Sequence, residues 1–222
     1  MSHFQTMFNS FPILLSAAGI TVLLAFLAYC ASLILGTIVA IARLSEIKTV
    51  RFLTILYVDF FRGTPLIVQL FMIYFGIPSF IQEFGLSFRF DRFYAAILAL
   101  SLYGSAYVAE VLRTGILSLG LGQWDAARAL GLRTSLVWLL VVLPQTFRRS
   151  IPSLGNEAIG MLKNTSLVSI IGYEELFRRG QLIVAESYQP FEIYTVVALI
   201  YLSLTILTSI LNRALESRFK TI

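Results

Sequence analysis

Glu110, Glu157 and Lys163 stand inside stretches of the chain that are otherwise apolar. An ionisable group in such a setting is costly and marks a functional candidate. Gly160, Met161 and Asn164 follow Glu157 at helical spacing and share its face. A carboxylate there can hold a cationic or amino group of a passing substrate, or pair with a neighbouring Arg or Lys. Lys163 is six residues on, about 240° round the helix, so it faces a partner subunit, a carboxylate, or the carboxylate of a substrate. Glu110 has Arg113 at i+3, which predicts an ion pair on one helix face, with a gating role second. Asp59 and Arg62 repeat that spacing before Pro65, a residue suited to a first helical turn. Arg62 is expected to meet phosphate headgroups or Asp59. Gln69 lies one turn further in and is a candidate for lining a path. Tyr103 sits mid-segment beside Gly104 and Ser105, where close helix packing is the default and substrate contact the alternative.

Other chemistries are excluded. One cysteine, Cys30, and one histidine, His3, rule out an internal disulfide framework, a zinc site and a His-based triad. Cys30 is expected to be apolar filler and His3 to be solvated. No G-x-x-x-x-G-K-[ST] phosphate loop is present, so the chain does not bind ATP by that device.

The elements that must position these residues follow from composition. Of 222 residues, 58% are hydrophobic and 13% charged, against about 45–50% and about 25% in soluble domains. The chain is therefore expected to be an all-α membrane protein. Runs such as "ILLSAAGITVLLAFLAYCASLILGTIVAIA" do not alternate in polarity as barrel strands do, and helices satisfy their own backbone in lipid. The first 42 residues lack Lys, Arg, Asp and Glu. A secretory signal would carry a basic start, so this run is expected to be a retained span. Five transmembrane helices are predicted, at Phe11–Ala42, Thr64–Ile81, Phe93–Leu112, Ser150–Gly172 and Phe191–Leu211, within one domain, 1–222. The first is longer than one crossing needs, which places part of it along the interface. Eleven basic residues, in 43–51, in 113–149 and in a tail holding Arg213, Arg218 and Lys220, fall on one side of that layout. Four (Arg89, Arg92, Arg178 and Arg179) fall on the other, mixed with acids. The positive-inside rule then puts the N-terminus outside and the C-terminus in the cytoplasm.

A cytoplasmic loop over 118–135 contains the start of "GQWDAARALGLRTSLVWLLVVLP", residues 122–144. Gln123–Leu130 reads as two helical turns, with Asp125 in the first turn, where the helix dipole favours an anion. Gly131 supplies the left-handed residue that closes the helix. Leu136–Leu143 would be a separate apolar helix of about 12 Å, ended or bent by Pro144. A two-turn helix needs a partner surface. Trp124 and Leu130 offer anchors, while Ala126 and Ala127 allow close approach, either to the rest of this chain or to another protein.

Asp125-Ala126-Ala127, then Gly131, then Val141 through Leu143 to Pro144 resemble the EAA motif of ATP-binding-cassette (ABC) importer permeases, with Asp in place of Glu and Val in place of Ile. "FRGTPLIVQLFMIYFGIP" (61–78), "SLYGSAYVAEVLRTGI" (101–116) and "PSLGNEAIGMLKNTSLVSIIGYEEL" (152–176) resemble the polar amino-acid uptake branch of that family. The resemblance implies a type I ABC importer permease fold in a bacterial inner membrane. It implies a second permease subunit, the same or homologous, an outside solute-binding protein, and two cytoplasmic ATPases that carry the ATP and Mg. Gln123, Trp124, Asp125, Ala126, Ala127, Leu130 and Gly131 would form the coupling helix that docks on an ATPase. Glu157, Met161, Asn164, Gln69, Tyr103 and Lys163 would face an amino acid, polar or cationic, because some members with Glu after Asn in that fourth segment carry cationic substrates. Transport breaks no bond, and no nucleic acid is involved. Two readings stand beside this one: an ion-coupled carrier, which calls for repeated halves that the chain does not display, and a non-transporting scaffold. Residues 173–189 would be a short surface helix against the binding protein or a solvated connector.

Overall fold

The computed structural model describes residues 3–219. Lys220 of the basic tail and the His3 side chain lie outside the described residues. Every regular element among the described residues is helical. Among the described residues, four helices are long and apolar enough to cross a membrane: Gln5–Arg43, Leu66–Glu83, Arg92–Leu117 and Pro190–Phe219.

Helix α1 (His3–Arg43) has 41 residues and spans about 62 Å. It continues through Pro12, and no separate interfacial piece splits from it. Helix α4 (Arg92–Leu117) starts at Asp91, whose Oδ1 accepts from the Phe93 amide at 2.9 Å and so caps the first turn. α1 and α4 lie side by side in the same direction, with Ser32 near Ser101 and Arg43 near Glu110. Small residues at every fourth position of α1, Ala28, Ser32, Gly36 and Ala40, make the seam. A methyl group added at Gly36 would stand 2.6 Å from Val108 Cγ1 and 2.8 Å from the Ser105 carbonyl. Backbones this close gain dispersion contacts where no hydrophobic effect operates. The sequence reading found the α4 side of this seam and not the α1 side.

Helix α2 (Lys48–Gly63) occupies chain that the span layout treats as loop. Val58 buries against Ala40, Val108, Ala109 and Leu112. The Tyr57 hydroxyl shares a hydrogen bond with Ser105 Oγ at 2.6 Å. Thr64 and Pro65 are extended, which separates α2 from α3 (Leu66–Glu83). Leu66, Leu70 and Ile73 of α3 pack on Ala95, Ala96 and Ala99 of α4. α2 and α3 therefore climb α4 in turn, running opposite to it.

Helix α5 (Leu121–Ala129) leads into α6 (134–164), which holds a π-helical segment at Val137–Val142. Here an expectation is corrected: the chain neither stops at Pro144 nor leaves Leu136–Leu143 as a separate helix. Proline has no N–H and its ring clashes with the carbonyl four residues back. The wider π turn just before Pro144 absorbs that misfit, and the helix goes on to Asn164. α3 repeats the device, with π turns at Met72–Gly76 ahead of Pro78.

A 3₁₀ segment (Thr165–Ile171) ends at Gly172 with φ +78°. Helix α7 (Leu176–Ser187) then packs on α1 and on α8 (Pro190–Phe219) through Leu14, Leu176, Ile193 and Val197. Glu175 caps α7 and is fully buried. Its carboxylate accepts from the Arg178 amide and the Tyr201 hydroxyl, each at 2.8 Å. Thr21 of α1 accepts from the Leu176 amide at 3.0 Å. Within segment 173–189, Leu176–Ser187 is thus a helix clasped to the bundle on one side.

Candidate functional site

Helices α2, α4 and α6 line an open cavity of about 380 Å³, within the range of small-molecule sites. α4 and α6 can approach because Gly115 meets Ser150: an added Cβ there would be 2.5 Å from its Oγ. Arg62, Tyr107, Glu110, Arg149, Ser153 and Glu157 supply the polar wall. At its lower end Glu110 gathers cations from three helices. Oε1 accepts from Arg113 Nε at 3.1 Å and Nη2 at 2.5 Å, and Oε2 accepts from Arg43 Nη1. Arg62 Nη1 lies 3.8 Å from the same Oε2. The i,i+3 pair with Arg113 is present as expected. Arg62 turns to Glu110 and not to Asp59, and its guanidinium sits over the Tyr107 ring, 5.3 Å from the centroid.

The six residues predicted to face a substrate are dispersed. Glu157 lines the cavity, half-buried. Met161 is buried in the main core, against Gly104. Asn164 closes α6. Lys163 is exposed. Tyr103 lies behind the wall and donates to the Tyr107 hydroxyl at 3.2 Å. Gln69 is buried at the α2–α3 break, where Nε2 donates to the Phe61 and Thr64 carbonyls at 3.0 and 3.1 Å. Arg62, Tyr107, Arg149 and Ser153 entered the site through tertiary packing. Only the charge of Arg62 next to a helix break was visible in the sequence.

A second constellation adjoins the cavity. α5 begins at Leu121, two residues earlier than expected, so Asp125 is past the first turn and does not meet the helix N-terminus. Its end follows the prediction. Gly131 has φ +74°, the Gly131 amide donates to the Arg128 carbonyl at 2.9 Å, and the Leu132 amide donates to the Ala127 carbonyl at 3.3 Å. Those two bonds make a Schellman cap. One face of α5 docks on its own chain: Ala127 is buried with Ile116, Leu119, Val137 and Val142, and Trp124 meets Trp138 edge-on at 5.0 Å. Gln123 accepts from Gln145 Nε2 at 3.2 Å. The other face is free, with Asp125, Ala126 and Leu130 exposed, Leu130 to 81%. Arg149, on the cavity wall, donates to the Ser118 carbonyl at the end of α4, at 2.8 Å. The short helix therefore packs on α6 at Val137–Val142 and is rooted at the end of α4, which Arg149 ties to α6.

Residues 32–221 match the family described as "Binding-protein-dependent transport system inner membrane component". The chain belongs to that family. The permease is 37% identical to the probable amino-acid permease protein YxeN of Bacillus subtilis (strain 168), over 98% of this chain and 97% of that protein. It is 40% identical to the nopaline transport system permease protein NocM of Agrobacterium fabrum (strain C58), over 92% and 87% of the two chains. Among solved structures it resembles an amino acid ABC transporter crystallised with histidines, with TM-score 0.85, 37% identity, and 97% and 98% of the chains covered. The permease is thus a multi-pass membrane protein of the ABC transporter class.

Proposed function

We propose that this permease forms half of the membrane pathway of an ATP-driven importer of polar or cationic amino acids in a bacterial inner membrane. The chain crosses five times, through α1, α2 with α3, α4, α6 and α8, with its N-terminus outside and its C-terminus in the cytoplasm. Running directions support this layout: α4 parallels α1, while α2–α3 and α6 oppose α4. So does the concentration of basic residues at the α5 end. A second permease, the same or homologous, completes the pathway. A solute-binding protein delivers substrate from outside, and two ATPases, which hold the ATP and Mg, dock on the exposed face of α5.

One observation carries the reading: α5 packs on the two cavity walls, through Ala127 with Ile116 and Leu119 at the end of α4 and through Trp124 against Trp138 of α6. Movement of a motor protein against α5 then moves the walls, and the cavity alternates between the two sides. Glu157 gives the cavity a carboxylate for an amino or cationic group. The names of the relatives, an amino-acid permease and a nopaline permease, support the substrate class.

The test is reconstitution in vesicles. The permease with its ATPase and binding protein should take up amino acids only with ATP, and a competition panel of arginine, lysine, histidine, ornithine, glutamine and cystine ranks the substrates. Uptake by the permease alone under an ion gradient would overturn the reading in favour of a carrier.

A further inference from the structure

The cavity holds two carboxylates and two guanidinium groups, and their hydrogen bonding is uneven. Both oxygens of Glu110 are taken, by Arg113 and Arg43. Arg149 is committed to Ser118. Arg62 differs. At 3.8 Å from Glu110 its nearest nitrogen is beyond hydrogen-bond range. Among the described residues its guanidinium makes no hydrogen bond. Its side chain is 41% exposed, against 17% for Arg43 and 28% for Arg113. The Tyr107 ring lies against it, 5.3 Å from the guanidinium carbon to the ring centroid. A rigid fork of donors therefore fronts the cavity with none of them used. Three guanidinium groups surround the single charge of Glu110, so this end of the cavity is net positive. Glu157, on the α6 wall, supplies the negative counterpart.

An amino acid carries one carboxylate and at least one ammonium group. A planar guanidinium matches a carboxylate with two parallel hydrogen bonds. We propose that Arg62 binds the α-carboxylate of the transported amino acid while Glu157 takes a cationic group of the same molecule. Glu110 acts as a positioning residue: it draws Arg62 to the cavity but leaves its donors unspent, because Arg43 and Arg113 hold both oxygens. The assignment rests on the cavity being the substrate site, as proposed above.

The experiment measures binding to the purified complex of permease and ATPase without the binding protein, which has a substrate site of its own. The probes are the panel amino acid that the wild-type complex takes up fastest and the same molecule with its carboxylate converted to a carboxamide. Wild type should prefer the acid. Arg62→Gln should weaken acid binding about 10- to 100-fold, the value of a charged hydrogen-bond pair, and abolish the preference over the amide. Arg62→Lys should restore part of it. If Arg62→Gln weakens acid and amide equally, or keeps the wild-type preference while Glu157→Gln weakens binding, the Arg62 assignment falls and the cavity stands. If both variants bind like wild type, or wild type binds no acid without the binding protein, the cavity is not the substrate site and both readings fall.

Discussion

Arg149 Nη1 lies 2.8 Å from the Ser118 carbonyl, tying the end of α4 to the part of α6 that walls the cavity. Ser118 stands two residues before Gly120, the N-cap of α5, so the same bond fixes the root of α5. A cation at a helix C-terminus is favourable for a second reason, since it meets the negative end of the dipole. Arg149→Ala should loosen this joint. Amino acid transported per ATP hydrolysed should drop by roughly three- to tenfold, the range for one ordinary hydrogen bond. Paired uptake and phosphate-release assays measure that ratio, and an unchanged ratio would remove the joint from the coupling path.

Gly131 holds φ +74°, where a β-branched side chain is strained by about 1–3 kcal/mol. Gly131→Val should undo the Schellman cap and shift Leu130. Asp125→Lys should reverse a charge on the free face of α5 without touching its buried face. Both variants should insert into the membrane normally yet recover less ATPase on affinity purification. Wild-type yields of ATPase from both would separate α5 from motor docking.

Gly36 faces Val108 and the Ser105 carbonyl at distances no methyl group tolerates. Gly36→Val should push α1 from α4 and cost about 1–3 kcal/mol. Thermal unfolding of the detergent-solubilised protein, followed by tryptophan fluorescence, would register the loss. Gly160→Ala is the control, because nothing lies within 4 Å of a Cβ there.

Glu175 connects acidity to the clasp between α7, α1 and α8. Burial pushes its carboxyl above the ordinary carboxylate range, opposed by hydrogen bonds from the Phe177 and Arg178 amides, Tyr201 and Thr21. The folded protein therefore holds this proton more tightly than the unfolded chain does. Its contribution to stability is full below the ordinary range and is lost as pH rises through the raised value. Thermal stability of wild type relative to Glu175→Gln should fall across that window. A difference between the two that does not vary with pH would refute the linkage.

Glu157→Gln keeps the shape of the side chain and removes its charge. Uptake of cationic amino acids should fall more than uptake of neutral ones, by about tenfold in the ratio. Competition profiles of the intact complex give the measure, and an unaltered profile would take Glu157 out of selectivity.

Signals that act within a turn or two of chain were readable before any fold was known. The helical class follows from long apolar runs without alternation, because lipid leaves the backbone no other partner. Glu110 and Arg113 pair because three residues bring side chains to one helix face. Gly131 closes α5 because glycine alone adopts a left-handed angle freely. Each of these depends on nearest neighbours along the sequence.

The tertiary structure decided which distant groups meet. Arg43 reaches Glu110 across 67 positions, and Arg62 joins them from a helix that composition alone had left as loop. Glu175, Thr21 and Tyr201 find one another only when α1, α7 and α8 pack. Continuation of α6 past Pro144 also has support from packing. Val137 and Val142 are buried with Ala127 and hold the helix together where local preference would break it. Pairings of this kind arise from the relative rotation and depth of whole helices, which side-chain interlock sets and which no local window of residues encodes.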